Sequence, residues 1–432
     1  MEKMAELVEA LNHKDKSVRI QAVKSLKEEI DQGKIPKAER LEECNNHVHS
    51  QYSFSPYSPS KIAWQAYQAG LRTCGIVDHE SVAGCLEFKE ACNILGVVPT
   101  IGFEVRMTWD HTPLKNKMFN NPDQKSVGYF PIHGVPISSL PKVEAFLKPI
   151  RAAREKRNRR MTEKVDQILQ NYEMGLDFNK DVIPVSRWEE EGSITERHIL
   201  FATAGKLIDR FGKGQALIDF LKDEMKIPLG VKPIEFLSDV NSPIYQFDVT
   251  NILKGFFSEK MYIPAGPEET PDIREAVPFL NSLGCIATYT YLGDVNGESV
   301  TGDKKAQKFE DDILDDLFRY ASEYGMQGMS YAPSRNSEAQ VKRVHELCQK
   351  YNMIEVCGED INQPRQPFIN TTMKPEEKKL FNDATWAIIG HETVSDHHLE
   401  RGILSEKVKT DIPQITKRIA AYKEIAVCEY LL

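Results

Sequence analysis

From Leu41 onward, short apolar runs alternate with helical patterns: a strand over residues 44–49, a helix over 60–69, a strand over 74–77, a helix over 82–95 and a strand over 97–105. Strands separated by helices pair in parallel, because a parallel pair needs a long crossover, so the pattern predicts a parallel sheet with its helices outside. At 432 residues the chain can hold two average domains or one barrel carrying insertions.

The ends of these strands carry the chemistry. In Asn45-Asn46-His47-Val48-His49, two imidazoles two residues apart on a strand project from the same face. Alone, that pair is either half of a metal site or a strand cap beside a solvent-facing ring. The second strand ends in Asp78-His79-Glu80 and the third in Gly102-Phe103-Glu104. Three consecutive strands thus deliver metal-capable side chains at their C-terminal ends, the end of a barrel where substrates bind. A carboxylate there can bridge two cations, and imidazoles supply neutral nitrogen ligands.

His47-Val48-His49-Ser50 with Tyr52-Ser53, Ile76-Val77-Asp78-His79 and Ile101-Gly102-Phe103-Glu104 resemble the first three motifs of the PHP (polymerase and histidinol phosphatase) family. Arg154, Arg157, Arg160 and Met161, then Thr195-Glu196-Arg197-His198-Ile199-Leu200, are similar to the arginine-studded helix and histidine segment of its metal-dependent phosphoesterase branch. Tyr331-Ala332-Pro333-Ser334 and Cys357-Gly358-Glu359-Asp360-Ile361-Asn362 stand in the places of its last two motifs.

The resemblance implies an α/β fold, a distorted seven-stranded (βα) barrel of TIM-like form over residues 41–368, with two or three divalent metals at the strand ends. It implies that His47, His49, Glu104 and Asp360 hold the first metal, and that Glu104 bridges to a second beside His198. His79 goes to a third position or to substrate, and Asp78 to the ligands or their supports. Glu104 and Asp78 are the expected catalytic carboxylates. Phe54 and Ser55 stand where the family offers an acid or histidine, Thr290 near a strand end that usually carries a histidine, and Asn362 in place of the closing histidine. These departures favour one or two metals over three, with Asn362 left to contact substrate.

Outside the motifs, residues 4–31 read as a helical hairpin, within a segment 1–40 that either packs on the barrel or docks a protein partner. Residues 106–150, polar and proline-broken, are expected to form a lid over the mouth, where His111 and His133 read as surface histidines. Residues 151–160 carry five arginines and one lysine on a helix; Arg154 and Arg157 form either a phosphate clamp or a solvated basic face. A helical insertion over about 205–265 and a helical extension over 369–432 complete the chain, with His391, His397 and His398 read as a surface cluster.

A net charge of −9 and a pI near 5.8 argue against duplex nucleic acid as partner, and the chain shows no long basic groove laced with aromatics for a nuclease. Eight cysteines contain no C-x-x-C pair, and no window approaches the ~18 apolar residues of a membrane span, so a cytoplasmic setting is expected. The leading expectation is a phosphoesterase that hydrolyses a small phosphorylated metabolite or nucleotide with a metal-activated water; Zn, Mn and Fe suit the ligands equally. The alternative is a degenerate, non-catalytic module that binds metal and ligand.

Overall fold

In the computed structural model, which describes residues 2–295 and 307–431, seven strands hydrogen-bond in the order in which the chain makes them. They are β1 (Leu41–Val48), β2 (Leu71–His79), β3 (Val98–Thr108), β4 (Val127–His133), β5 (Ile286–Tyr291), β6 (Gly328–Tyr331) and β7 (Ile354–Cys357). Just past the ends of β1 and β7 the sheet meets itself: the His49 N–H donates to Ile361 O at 2.9 Å and the Ile361 N–H to His47 O at 3.0 Å. The result is a nearly closed barrel, with both members of the histidine pair at its seam.

One strand departs from the parallel rule. β4 runs antiparallel to β3 and to β5, and it lies inside the span expected to fold as a lid. The stretch between β3 and β4 holds no helix, so the chain turns back as a hairpin instead of crossing over. Pro131 in the middle of β4 conceals it in the sequence. Nor do residues 109–126 float free: Trp109, Leu114 and Phe119 are buried in the barrel core, with Trp109 stacked on Phe119 at 5.3 Å.

Two helices precede the barrel, α1 (Glu2–Ala10) and α2 (Lys16–Asp31), with Asp15 capping α2 by accepting the Ser17 N–H. Around the front of the barrel lie α3 (Pro59–Gln68) and α4 (Cys85–Leu95). The apolar stripe of α2, made of Ile20, Val23, Leu26 and Ile30, joins the barrel core, and the hairpin is anchored by a buried pair. Arg19 is 0% exposed and grips Glu87 of α4, which Ser60 of α3 also contacts.

Because β4 carries the chain back down the barrel, the next helix climbs again. α5 (Leu140–Gln170) spans 31 residues, about 46 Å at 1.5 Å per residue. Its first half, with Leu140, Val143, Leu147 and Ile150, packs in the barrel core. Its second half, with Met161, Val165 and Leu169, packs in a separate core built with α6 (Glu196–Phe211), α7 (Gln215–Asp219), α8 (Val231–Ser238) and α9 (Tyr245–Met261). This helical cap thus draws on residues well before position 205.

The chain returns through α10 (Ile273–Ser282), α11 (Leu314–Glu323) and α12 (Glu338–Tyr351) around the last strands. Then α13 (Pro375–Ser395), the short α14 (Glu406–Asp411) and α15 (Ile415–Leu431) follow. Ala384 and Ile388 of α13 and Tyr422 of α15 bury Ile286, Ile354 and Val356 of the barrel. Two histidines expected at the surface belong to the interior: His133 at the end of β4 is 1% exposed, and His391 of α13 is 2% exposed. His391 Nε2 lies 2.7 Å from Gly284 O and 3.1 Å from Gly134 O, while its Nδ1 accepts the Ile403 N–H at 3.1 Å. His111, His397 and His398 are exposed.

Candidate metal centre

The mouth gathers side chains from the first three strands. His47 and His49 come from the end of β1, with ring centroids 5.1 Å apart. His79 ends β2, 4.6 Å from His49 ring to ring, and Glu104 rises from β3, where it pairs in register with His79. One ligand atom from each of His47, His49 and Glu104 falls within 4.8 Å of the others, and all three residues are buried. His47 Nε2 lies 3.6 Å from Glu104 Oε1, and His79 Nδ1 lies 2.9 Å from Glu104 Oε2. Asp360, beyond β7, adjoins the cluster with Oδ1 3.4 Å from His49 Nε2 and is solvent-facing at 54% side-chain exposure.

Protonation favours cation binding. Burial pushes the Glu104 carboxyl up, but His79 and His47 outweigh it and hold Glu104 below the usual carboxylate range. Burial, reinforced by His79 and His47, holds His49 well below the imidazole range, so it is a neutral donor. His47 Nδ1 is buried without a hydrogen-bond partner. An anionic carboxylate beside the neutral His49 and a His47 ring with an unpartnered nitrogen is a donor set that fits a divalent cation.

Asp78 stands behind this set. Its Oδ1 accepts the Ser50 N–H at 2.6 Å and the Ser53 hydroxyl at 2.7 Å, and its Oδ2 accepts the Ser50 hydroxyl at 2.6 Å. With both oxygens so engaged and only 2% of the residue exposed, Asp78 organises the loop after β1. The expectation of a catalytic Asp78 therefore becomes a positioning role. Ser53 spends its one proton on Asp78, so it must accept from His49 Nδ1, 3.2 Å away. That leaves the lone pair of His49 on Nε2, the nitrogen that faces Asp360.

His198 is built differently. It is the third residue of α6, and its Nδ1 accepts the Thr195 N–H at 2.9 Å as half of a capping box. A neutral imidazole that accepts at Nδ1 carries its proton on Nε2, so this ring lacks the lone pair a second metal would need there. It stacks edge-on to Phe54 at 5.1 Å, and burial, with Arg154 near, lowers its pKa to about 3. The expected second ligand is thus a helix cap. At the end of β5, the Tyr289 hydroxyl accepts the Asn120 N–H at 3.0 Å and the Tyr291 hydroxyl donates to Asp311, so both side chains are committed to packing.

The arginines form a wall beside the cluster. Arg154 pairs with Glu80 and Glu196, Arg157 with Glu196 and Glu269, and Arg106 with Glu269 and Glu80. Of the two outcomes expected for Arg154 and Arg157, the solvated face does not describe this network, in which both arginines are buried and paired with acids. Its acidic half went unrecognised in the sequence. The signal was present in Glu80, next to His79, and Glu196, next to Arg197, but Glu269 is distant in the chain and offers none. Glu80 takes a left-handed backbone (φ 46°), rare without glycine, directly after β2. Asn362 donates to Asp360 Oδ1 at 2.7 Å and accepts from Arg197 at 3.0 Å, so its amide braces Asp360.

The fold is a distorted (βα) barrel, and the C-terminal ends of its first strands carry a mixed imidazole–carboxylate cluster that could hold a cation. Residues 45–176 match the model of the PHP domain. The fold is similar to that of a "putative metal-dependent phosphoesterase" from Bifidobacterium adolescentis, 17% identical, with a TM-score of 0.51 over 79% of this chain and 96% of that one. It is also similar to an amidohydrolase from Chromobacterium violaceum solved with bound sulfate and no metal, 16% identical, with a TM-score of 0.50 over 77% of this chain and 92% of that one. At these identities the likeness is one of fold. Comparison with curated proteins finds no match.

Proposed function

We propose that this chain is a metal-dependent phosphoesterase acting on a small phosphorylated metabolite or nucleotide. The observation that carries the reading is the meeting of His47, His49 and Glu104 within 4.8 Å, against a wall of arginines. The PHP domain supports the coarser statement, a metal-dependent hydrolase. His47, His49 and Glu104, with Asp360, would hold a first cation; His79, on the second oxygen of Glu104, suits a second position or the substrate. Zn, Mn or Fe would serve, one or two per chain. Bound there, such a cation lowers the pKa of water and neutralises phosphate charge.

The protein's own share is orientation. Asp78 and Ser53 fix the tautomer of His49, Asn362 holds Asp360 towards the cluster, and the partly exposed Asp360 and His79 mark the side from which substrate arrives. Seven of the eight cysteines are buried free thiols, which supports a reducing, cytoplasmic setting. No described helix is long and apolar enough to cross a membrane.

The test pairs elemental analysis of purified, metal-supplemented protein with phosphate release from a panel of nucleotide and sugar phosphates under Mn or Zn. Stoichiometric metal and turnover are expected; only traces of any transition metal would overturn the reading. The packing roles of Tyr289 and Tyr291 and the capping role of His198 favour a second reading, a binding module with a reduced centre. Saturable binding without phosphate release would establish that one.

A further inference from the structure

Glu196 spans the two arginines expected to meet substrate. Its Oε2 accepts from Arg154 at 2.9 Å and its Oε1 from Arg157 at 2.6 Å. This is the way two oxygens of one phosphate take two guanidinium N–H groups. The other acids of the network are sealed, Glu80 at 0% and Glu269 at 2% side-chain exposure, whereas Glu196 keeps 27%. It lies in the first turn of α6, held by side-chain contacts alone, so a change of rotamer frees it.

The charges point the same way. Arg106, Arg154 and Arg157 face Glu80, Glu196 and Glu269, three against three, so removing Glu196 leaves one net positive charge in a buried wall. The wall borders the metal cluster. The Glu80 N–H donates to Glu104 O at 2.7 Å, and Tyr129, the register partner of Arg106, lies 5.7 Å from His79 ring to ring.

We infer that Glu196 is a placeholder: its carboxylate fills an oxyanion position on Arg154 and Arg157, and the substrate's phosphate binds there by displacing it. The identity of the substrate rests on the phosphoesterase reading; the exchange itself does not. Apparent phosphate affinity is then the intrinsic affinity scaled by the fraction of molecules in which Glu196 has swung out.

Calorimetric titration of the full chain with inorganic phosphate, in chelator so that no metal contributes, tests this. Glu196→Gln removes the competing charge and is expected to bind phosphate about tenfold more tightly than the parent chain. Equal or weaker binding by a folded Glu196→Gln chain overturns the inference. Should that variant fail to fold, Glu196→Asp, whose shorter side chain reaches both arginines less well, is expected to gain affinity too, and no gain overturns the inference equally. Because no turnover is read, a gain in a chain that hydrolyses nothing keeps the placeholder and loses the phosphoesterase. Hydrolysis with unaltered phosphate affinity does the reverse.

Discussion

Ser53 donates its hydroxyl proton to Asp78 at 2.7 Å, and through that bond it determines which nitrogen of His49 is free. Second-sphere bonds of this kind typically tune metal affinity by about 10- to 100-fold. Ser53→Ala leaves the fold intact, removes the acceptor for His49 Nδ1–H, and is expected to weaken metal binding by roughly that factor. Competition with a chromogenic chelator measures it.

Among the described residues, Glu104 is the one carboxylate within ion-pair distance of both His47 and His79. Glu104→Ala is expected to abolish metal retention and phosphatase turnover while the far-UV circular dichroism and melting temperature hold. Retained turnover would place the chemistry elsewhere.

His198 gives the opposite expectation. Glutamine at the third position of a helix preserves a capping box. His198→Gln should therefore keep both stability and the metal stoichiometry of the parent chain, as read by elemental analysis. A loss of one metal per chain would make the ring a ligand after all.

Arg19 and Glu87, 0% and 2% exposed, tie the N-terminal hairpin to α4. Removing one partner of a buried pair strands the other, at a cost of about 3–5 kcal/mol. Arg19→Met should lower stability by that order in denaturant titration. The same hairpin holds the loop after β1, where Asn12 donates to Pro56 O and accepts from the Ser58 N–H, both at 2.9 Å. Metal affinity should fall along with stability.

His391 makes stability depend on pH. Burial lowers its pKa from 6.5 to about 4, against weaker support from the Gly284 and Gly134 carbonyls. Between about 6.5 and about 4 the unfolded chain holds the extra proton, so its share of stability is complete above about pH 6.5 and is lost as the pH falls towards about 4. The share amounts to roughly 3 kcal/mol. Unfolding free energies measured across this window should show a shallower slope in His391→Gln than in the parent chain.

What could be read ahead of the structure follows from locality. His47, His49, His79 and Glu104 were legible because the strand period and the strand-end position are written in neighbouring residues. β4 was not, since Pro131 and the polar run before it disguise a strand whose partners, β3 and β5, settle its direction. Arg154 and Arg157 were visible as cations, but their environment depends on Glu269, more than a hundred residues away. The role of His198 turns on which nitrogen meets the Thr195 N–H, a matter of side-chain geometry that no spacing records.

α5 carries a consequence for how the molecule could be taken apart. One continuous helix, with Pro149 in its interior, supplies Leu147 and Ile150 to the barrel and Met161, Val165 and Leu169 to the cap. Excising residues 171–262 would therefore leave three apolar side chains of α5 bare to water, and the excised piece would lack the helix on which it nucleates. The cap is grafted into the barrel, not hung from it, and the two should melt as one cooperative unit.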